Sequence, residues 1–280
     1  MFISDEWKDY NLIDANNGNR LEKWGDFVLV RPDPSAFWNL DSSAKWQNYD
    51  AIYLRSGSGG GEWNFNKTLP DKWQISYKDM KFWVKPMGFK HTGVFPEQAT
   101  NWDFVRANLK KGDKVLNLFA YTGGATIAAA LAGAEIVHVD ASKGIIQMAK
   151  ENAHINGLVN HPIRYIVDDC AKFVAREIRR GNKYDAIIMD PPSYGRGSNG
   201  EVWKIEDSLA DLFQLCKQVL SDNAKFVLIN SYTTGLSVGS ISALAQMIFG
   251  GDIQSAELGL PVQTRSATLP GGGCVRILLN

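Results

Sequence analysis

Asp190-Pro191-Pro192-Ser193-Tyr194 follows directly on the apolar run Tyr184 to Met189. Proline fixes φ and removes a backbone N–H, and it pushes the preceding residue out of the helical region. An apolar strand that ends in such a corner delivers a carboxylate and a stiff pair of carbonyls to the carboxyl edge of a sheet. Acceptors arranged in that way are suited to gripping an amine. About seventy residues upstream lies a second segment with chemical potential, Ala120-Tyr121-Thr122-Gly123-Gly124. Glycine lets the backbone pass close to a ligand, and the helix start that follows offers free N–H groups to a carboxylate.

These two segments need a scaffold, and the chain supplies an α/β one. From Gln98 onward, strand and helix patterns alternate, as in a parallel sheet with crossover helices. The pattern predicts strands at Lys114 to Phe119, Glu135 to Val139, Arg164 to Val167, Tyr184 to Met189 and Lys225 to Asn230. Helices are predicted at about Gly123 to Ala132, Lys143 to Asn156, Ala171 to Arg180, Ile205 to Leu220 and Val238 to Phe249. Two last strands, Ile253 to Gly259 and Cys274 to Leu279, have no room for a helix between them, so they pair antiparallel. The result resembles the seven-stranded Rossmann-like layout of class I methyltransferases. Before residue 89 the chain reads differently. Short aromatic and β-branched runs, Phe27 to Val30, Ala51 to Leu54, Trp73 to Tyr77 and Phe82 to Val84, are separated by turn residues, with Ser56 to Gly61 as a hairpin tip. We therefore expect a small β-rich domain over 1–88 and a larger α/β domain over 89–280.

Composition narrows the partners. The 280 residues are 45% hydrophobic and 21% charged, ordinary globular material, and the 30 basic and 30 acidic side chains cancel. The balance holds in each part, with 12 of each sign in residues 1–90, so any nucleic-acid surface is local. Neither a signal peptide nor a stretch of the roughly eighteen apolar residues that span a bilayer is present. Three cysteines far apart, Cys170, Cys216 and Cys274, fit a reducing cytoplasm, and no spacing of His, Cys and carboxylates suggests a metal.

In open α/β sheets the ligand lies off the carboxyl ends of the strands, where strand order reverses. Phe119 to Gly124 follows the first strand there. Asp140 ends the second strand, where it can accept two ribose hydroxyls, and Asp169 or its neighbour Asp168 ends the third, where it can bond an adenine amine. An acidic residue in that place is also a common helix cap. Asp190 ends the fourth. A nicotinamide-dependent dehydrogenase would share this scaffold, but it wants a G-x-G-x-x-G turn for a pyrophosphate, and only Gly123-Gly124 is present. S-adenosylmethionine has no phosphate, so a looser turn suffices, and the Asp-Pro-Pro corner has no part in hydride transfer.

From Phe89 to the C-terminus the chain resembles the family of large-subunit ribosomal RNA methyltransferases that includes the enzyme acting on carbon 5 of cytosine and relatives acting on guanine. The segments that carry the resemblance are Lys90-His91-Thr92-Gly93 with Phe95 and Gln98, Leu118 to Gly123, Asp140-Ala141-Ser142, Asp168-Asp169 and Asp190 to Tyr194. Residues 1–85 are similar to that family's small β domain, and the family's N-terminal RNA-binding module has no counterpart in this sequence. The resemblance implies an S-adenosylmethionine site formed by Phe95, Gln98, Phe119, Ala120, Tyr121, Thr122, Gly123, Asp140, Ala141, Ser142, Asp168 and Asp169. It implies a catalytic corner of Asp190, Pro191, Pro192 and Tyr194. Glu97 and Ala99 stand where the family carries aspartate and arginine, so this edge departs from the pattern.

Methylation of cytosine carbon needs a cysteine that adds to the ring. Ser193 occupies one candidate position for it, and the segment after the fifth strand, Asn230 to Gly235, has no cysteine either. The three cysteines present read as packing residues. A base nitrogen is the better target, since direct transfer to it needs no enzyme nucleophile. Asp190 and the Pro191 carbonyl would hold the amine while Tyr194 stacks on a flipped base. For RNA, Ser193, Arg196, Lys204, Lys85 and Lys90 are the candidate substrate contacts, with Trp203 and the polar loop Gly195 to Glu201 closing over the site. Lys78, Lys81, Lys85 and Lys90 interleave with Tyr77, Phe82, Trp83 and Phe89. This is either a nucleic-acid strip or a hairpin with solvated lysines and core rings. The same aromatics leave the protein a monomer or a homodimer.

Overall fold

The structure is a computed structural model that describes residues 1–57, 60–196 and 202–279. The chain forms two compact units, Met1–Thr100 with Leu258–Gly271, and Asn101–Glu257 with Gly272–Asn280.

In the larger unit, parallel strands β1 (Lys114–Leu118), β2 (Glu135–Asp140), β3 (Ile163–Val167), β4 (Ala186–Met189) and β5 (Phe226–Ser231) alternate with helices. The helices are α1 (Gly124–Leu131), α2 (Lys143–Ile155), α3 (Cys170–Arg180), α4 (Ile205–Gln218) and α5 (Val238–Phe249). A closing hairpin, β6 (Asp252–Val262) and β7 (Ala267–Leu278), sets β7 antiparallel to β5, and the strand order is β3-β2-β1-β4-β5-β7-β6. This is the seven-stranded α/β sheet expected. β4 reads Ala-Ile-Ile-Met and is buried at every position, as a strand covered by helices on both faces must be. Leu116, Leu118, Ile187, Met189, Val227 and Ile229 from the sheet pack on Phe173 of α3, Leu212 and Phe213 of α4, and Ile241 of α5. The two last strands run longer than the sequence pattern suggests, because their outer part, Leu258–Gly271, belongs to the other unit.

In that unit, Tyr10–Asn16, Asn19–Trp24 and Phe27–Pro32 form an antiparallel meander, Ala51–Arg55 adds to Phe27–Pro32 in parallel, and Gly61–Phe65 pairs antiparallel with Ala51–Arg55. A separate hairpin joins Trp73–Tyr77 to Met80–Val84. The first two strands were not expected, since they bury Asp14 and Glu22 and so do not read as apolar runs. Arg31 makes this possible, donating to both oxygens of Glu22 at 2.6 and 2.8 Å. The expected boundary after residue 88 also moves. Residues 89–100 belong with the N-terminal strands, where Arg31 donates to the Lys90 carbonyl, Ser4 to the Glu97 carbonyl and the Trp7 indole to the Pro96 carbonyl. Ser56 to Gly61 does connect two antiparallel strands, though Ser58 and Gly59 lie outside the described residues. Among the described residues no helix is long and apolar enough to cross a membrane.

Candidate active site

Strand register assembles the site. Leu118, Met189 and Ile229 are direct partners across β1, β4 and β5, so Phe119 and Asp190 leave the sheet at the level of Asn230, which is still paired within β5. On the other side, Val139 pairs with Leu118 and Asp140 with Val167, and the Asp168 N–H donates to the Asp140 carbonyl. Every strand-end residue singled out in the sequence thus emerges at the same carboxyl edge.

The turn after β1 is tightly built. Phe119, Tyr121 and Gly123 have φ of 52, 48 and 90°, the left-handed region that side chains seldom adopt. Specific partners hold the two non-glycines: the Phe119 N–H donates to Cys170 Sγ at 3.3 Å, and the Tyr121 N–H to Asp140 Oδ2 at 3.0 Å. At Gly123 a Cβ would lie 3.3 Å from that of Ala149, so glycine keeps α1 close to α2. Ala120 and Thr122 are buried, and the Thr122 carbonyl accepts from Asn152 Nδ2 at 3.0 Å. Asp140 Oδ1 accepts the Ser142 N–H at 2.9 Å. Burial raises the Asp140 pKa and the two N–H bonds counter it, while each oxygen keeps a lone pair for a further donor. Ser142 caps α2, and Ala141 beside it is exposed.

The two candidates after β3 divide their roles. Asp169 caps α3, accepting the Lys172 N–H at 2.8 Å, whereas Asp168 accepts the Asp169 N–H and is ion-paired to Arg176.

At the Asp190 corner one of the two proline carbonyls is already engaged. The Pro192 carbonyl accepts the Trp203 indole N–H at 2.6 Å, and the Ser193 carbonyl accepts the Ile205 N–H. Only the Pro191 carbonyl has no partner among the described residues. Thr233, from the β5–α5 loop, donates to Ser193 Oγ at 2.8 Å. Gly195 and Arg196, the described part of the segment expected as a loop, lie in a short strand, Tyr194–Arg196, paired antiparallel with Val202–Lys204, which sets Tyr194 opposite Lys204. Both are exposed. Residues 197–201, which include most of the anticipated closing loop, and the Arg196 side chain lie outside the described residues.

Sequence reasoning missed the buried polar set behind Asn230. Asn101 Nδ2 donates to Asn230 Oδ1 at 2.9 Å, and Asn101 Oδ1 accepts from Arg276 Nε and from Cys274 Sγ. Asn101 is more than a hundred positions from each of these partners in sequence, so no local pattern could reveal the set. Burial lifts the thiol pKa of all three cysteines, that of Cys274 to about 11.

The remaining candidates belong to the N-terminal unit. Phe95 is half-buried and precedes the short turn Pro96–Gln98, and Gln98 is buried. Lys85 is half-buried. Lys90 is an internal packing residue more than a surface cation: its Nζ donates to the Pro32 carbonyl, and burial lowers its pKa to about 8. Of the interleaved rings, Tyr77 and Phe82 are core and Phe89 is exposed. Among the described residues no group of His, Cys, Asp and Glu is arranged to hold a metal.

Comparison with known proteins agrees with this geometry. A family model described as S-adenosylmethionine-dependent methyltransferase matches residues 53–207. The crystal structure of an S-adenosylmethionine-dependent methyltransferase from Agrobacterium tumefaciens superposes with a TM-score of 0.94 at 38% identity, covering 99% of this chain and 93% of that one. Ribosomal RNA large subunit methyltransferase I of Aeromonas hydrophila is 32% identical over 60% of this chain and 42% of its own length. Ribosomal RNA large subunit methyltransferase K/L of Shewanella frigidimarina is 32% identical over 54% of this chain and 21% of its own length. The chain thus spans well under half the length of the curated relatives it matches.

Proposed function

Because the chain belongs to the S-adenosylmethionine-dependent methyltransferases, we propose that it methylates a base nitrogen of ribosomal RNA by direct transfer. The observation that carries this reading is the shared level of Phe119, Asp140 and Asp190 at the carboxyl edge of the sheet. The residues suit the cofactor. The turn Phe119 to Gly123 and the N–H groups that open α1 would receive its methionine carboxylate, the spare lone pairs of Asp140 its ribose, and Asp169 or Asp168 its adenine amine. When bound, S-adenosylmethionine supplies an electrophilic methyl carbon on a positively charged sulfur.

The protein's own contribution is positioning and proton acceptance. Asp190 and the Pro191 carbonyl accept the N–H bonds of the target amine, which turns its lone pair toward the cofactor, and Asp190 takes the proton that the nitrogen sheds. Tyr194 provides a face on which a flipped base stacks, and Lys204 across the hairpin meets a phosphate. A thiol mechanism at cytosine carbon is disfavoured by the burial of all three cysteines, whose raised pKa values keep the thiolate scarce at neutral pH. Their buried, reduced state also suits the cytoplasm. The names of the two relatives support ribosomal RNA as the substrate class.

Ribosomal RNA from a deletion strain, mapped by mass spectrometry, is expected to lack one base methyl group, and the purified protein should restore it. Fully methylated RNA from that strain would refute the reading.

A further inference from the structure

Trp203 touches both halves of the site. It stands in the strand Val202–Lys204, paired with Gly195 just after the Asp190 corner. Its indole N–H donates to the Pro192 carbonyl at 2.6 Å, a short bond to the corner itself. Its ring lies against that of Phe119, with centroids 5.1 Å apart and planes at 55°. Phe119 is the first residue of the cofactor turn and sits at φ 52°, a conformation that persists only where the surroundings enforce it. Trp203 and Cys170 are the neighbours that enforce it. One rigid side chain therefore spans the turn that would hold the methyl donor and the corner that would hold the acceptor.

We infer that Trp203 is a positioning residue that keeps the Asp190 corner in register with the cofactor turn, and that cofactor occupancy is felt at the substrate hairpin through the Phe119–Trp203–Pro192 contact. The inference rests on the methyl-transfer reading above and adds to it a coupling between its two ligands. The indole N–H fixes the distance from ring to corner, so its loss should leave both ligands bound but misaligned by a fraction of an ångström. That kind of misplacement lowers the rate of the chemical step more than affinity.

The test uses Trp203→Phe in the full chain, which keeps a ring against Phe119 and removes the N–H. We expect kcat for RNA methylation to fall about 10- to 100-fold. Calorimetric affinity for S-adenosylhomocysteine should stay within about threefold and Tm should be unchanged. Protein labelled with 5-fluorotryptophan provides an arm independent of catalysis. The nine tryptophans give separate fluorine resonances, the one missing in the variant is Trp203, and it should move on titration with S-adenosylhomocysteine. A variant with wild-type kcat, or a Trp203 resonance that does not move in saturated protein, overturns the inference. A loss of rate matched by an equal loss of folded protein overturns it too, as a merely structural role. Wild-type protein that binds S-adenosylhomocysteine but leaves RNA unmethylated would instead remove the RNA reading. The fluorine shift would then decide the coupling by itself.

Discussion

Asp140 has a structural job besides the ribose contact proposed for it, and that job is invisible in sequence. An aspartate at the end of a second strand suggests a ribose acceptor. In the structure it also holds Tyr121 at φ 48° through the N–H bond at 3.0 Å. Beneath the same turn lies a second buried device. Asn117 Nδ2 donates to Thr126 Oγ1, whose hydroxyl also pairs with His138 Nδ1, both at 2.9 Å. His138 is fully buried and burial pulls its pKa from 6.5 down to about 3. A depressed histidine pKa stabilises the fold above the unfolded value, and that contribution is lost as pH falls from 6.5 toward 3. Denaturant midpoints measured from pH 6.5 to 4 should show His138→Gln losing stability less steeply than wild type, by about 1.4 kcal/mol per pH unit. Equal slopes would mean that His138 is charged in the native state. At Tyr194, exposed beside the corner, replacement by alanine should weaken RNA binding by about 1–3 kcal/mol, the worth of one base-on-ring stack. Affinity for S-adenosylhomocysteine should not change, and equal loss of both affinities would deny the stacking role.

At the scale of elements, legibility tracked burial. Strands such as Ala186–Met189 and Phe226–Ser231, buried at every position, announce themselves as apolar runs and were placed to within about two residues. Tyr10–Asn16 and Asn19–Trp24 were missed, because Glu22 is buried only by virtue of Arg31 and Tyr10, contacts that no window of sequence displays. A usable signal was present: Asn17-Gly18, with φ of 48 and 71°, is the dipeptide that turns a tight hairpin. The corner shows the same division. Its residues were legible as a motif, whereas the grip of Trp203 and Thr233 on it was not. The element α3 poses the sharpest question, since Asp169 both caps it and is a candidate adenine ligand. Asparagine caps as well as aspartate, so Asp169→Asn should melt like wild type, and Asp169→Ala should lose about 1 kcal/mol. If the second carboxylate oxygen bonds adenine, both variants should bind S-adenosylhomocysteine about tenfold more weakly, the worth of one charge-assisted hydrogen bond. A cap without a ligand role would leave affinity intact in Asp169→Asn, and Asp168 would become the one remaining acidic candidate.

Over the whole molecule, 30 positive charges meet 30 negative ones, which sets a limit on how RNA can be held. A protein with a strongly basic face gains most of its affinity by releasing counterions, and that affinity collapses as salt rises. Two of the candidate cations are engaged within the protein. Lys90 donates inward to the Pro32 carbonyl and Lys78 is paired with Glu6 at 2.6 Å. The other candidates for phosphate contact in the sequence are Lys81, Lys85, Arg196 and Lys204. Four contacts to single-stranded RNA predict that log Kd varies with log salt concentration with a slope of about 3 or less. On the function proposed above, specificity would then come from the carboxyl edge, where Asp190, Pro191 and Tyr194 would address a single base. Filter binding of unmodified ribosomal RNA fragments from 50 to 300 mM salt measures the slope directly. A value of about 6 or more would require phosphate contacts beyond these four cations, and the substrate would have to be read chiefly by its backbone. A shallow slope that becomes shallower still, by about 0.7, in Lys204→Ala would assign one phosphate to the hairpin.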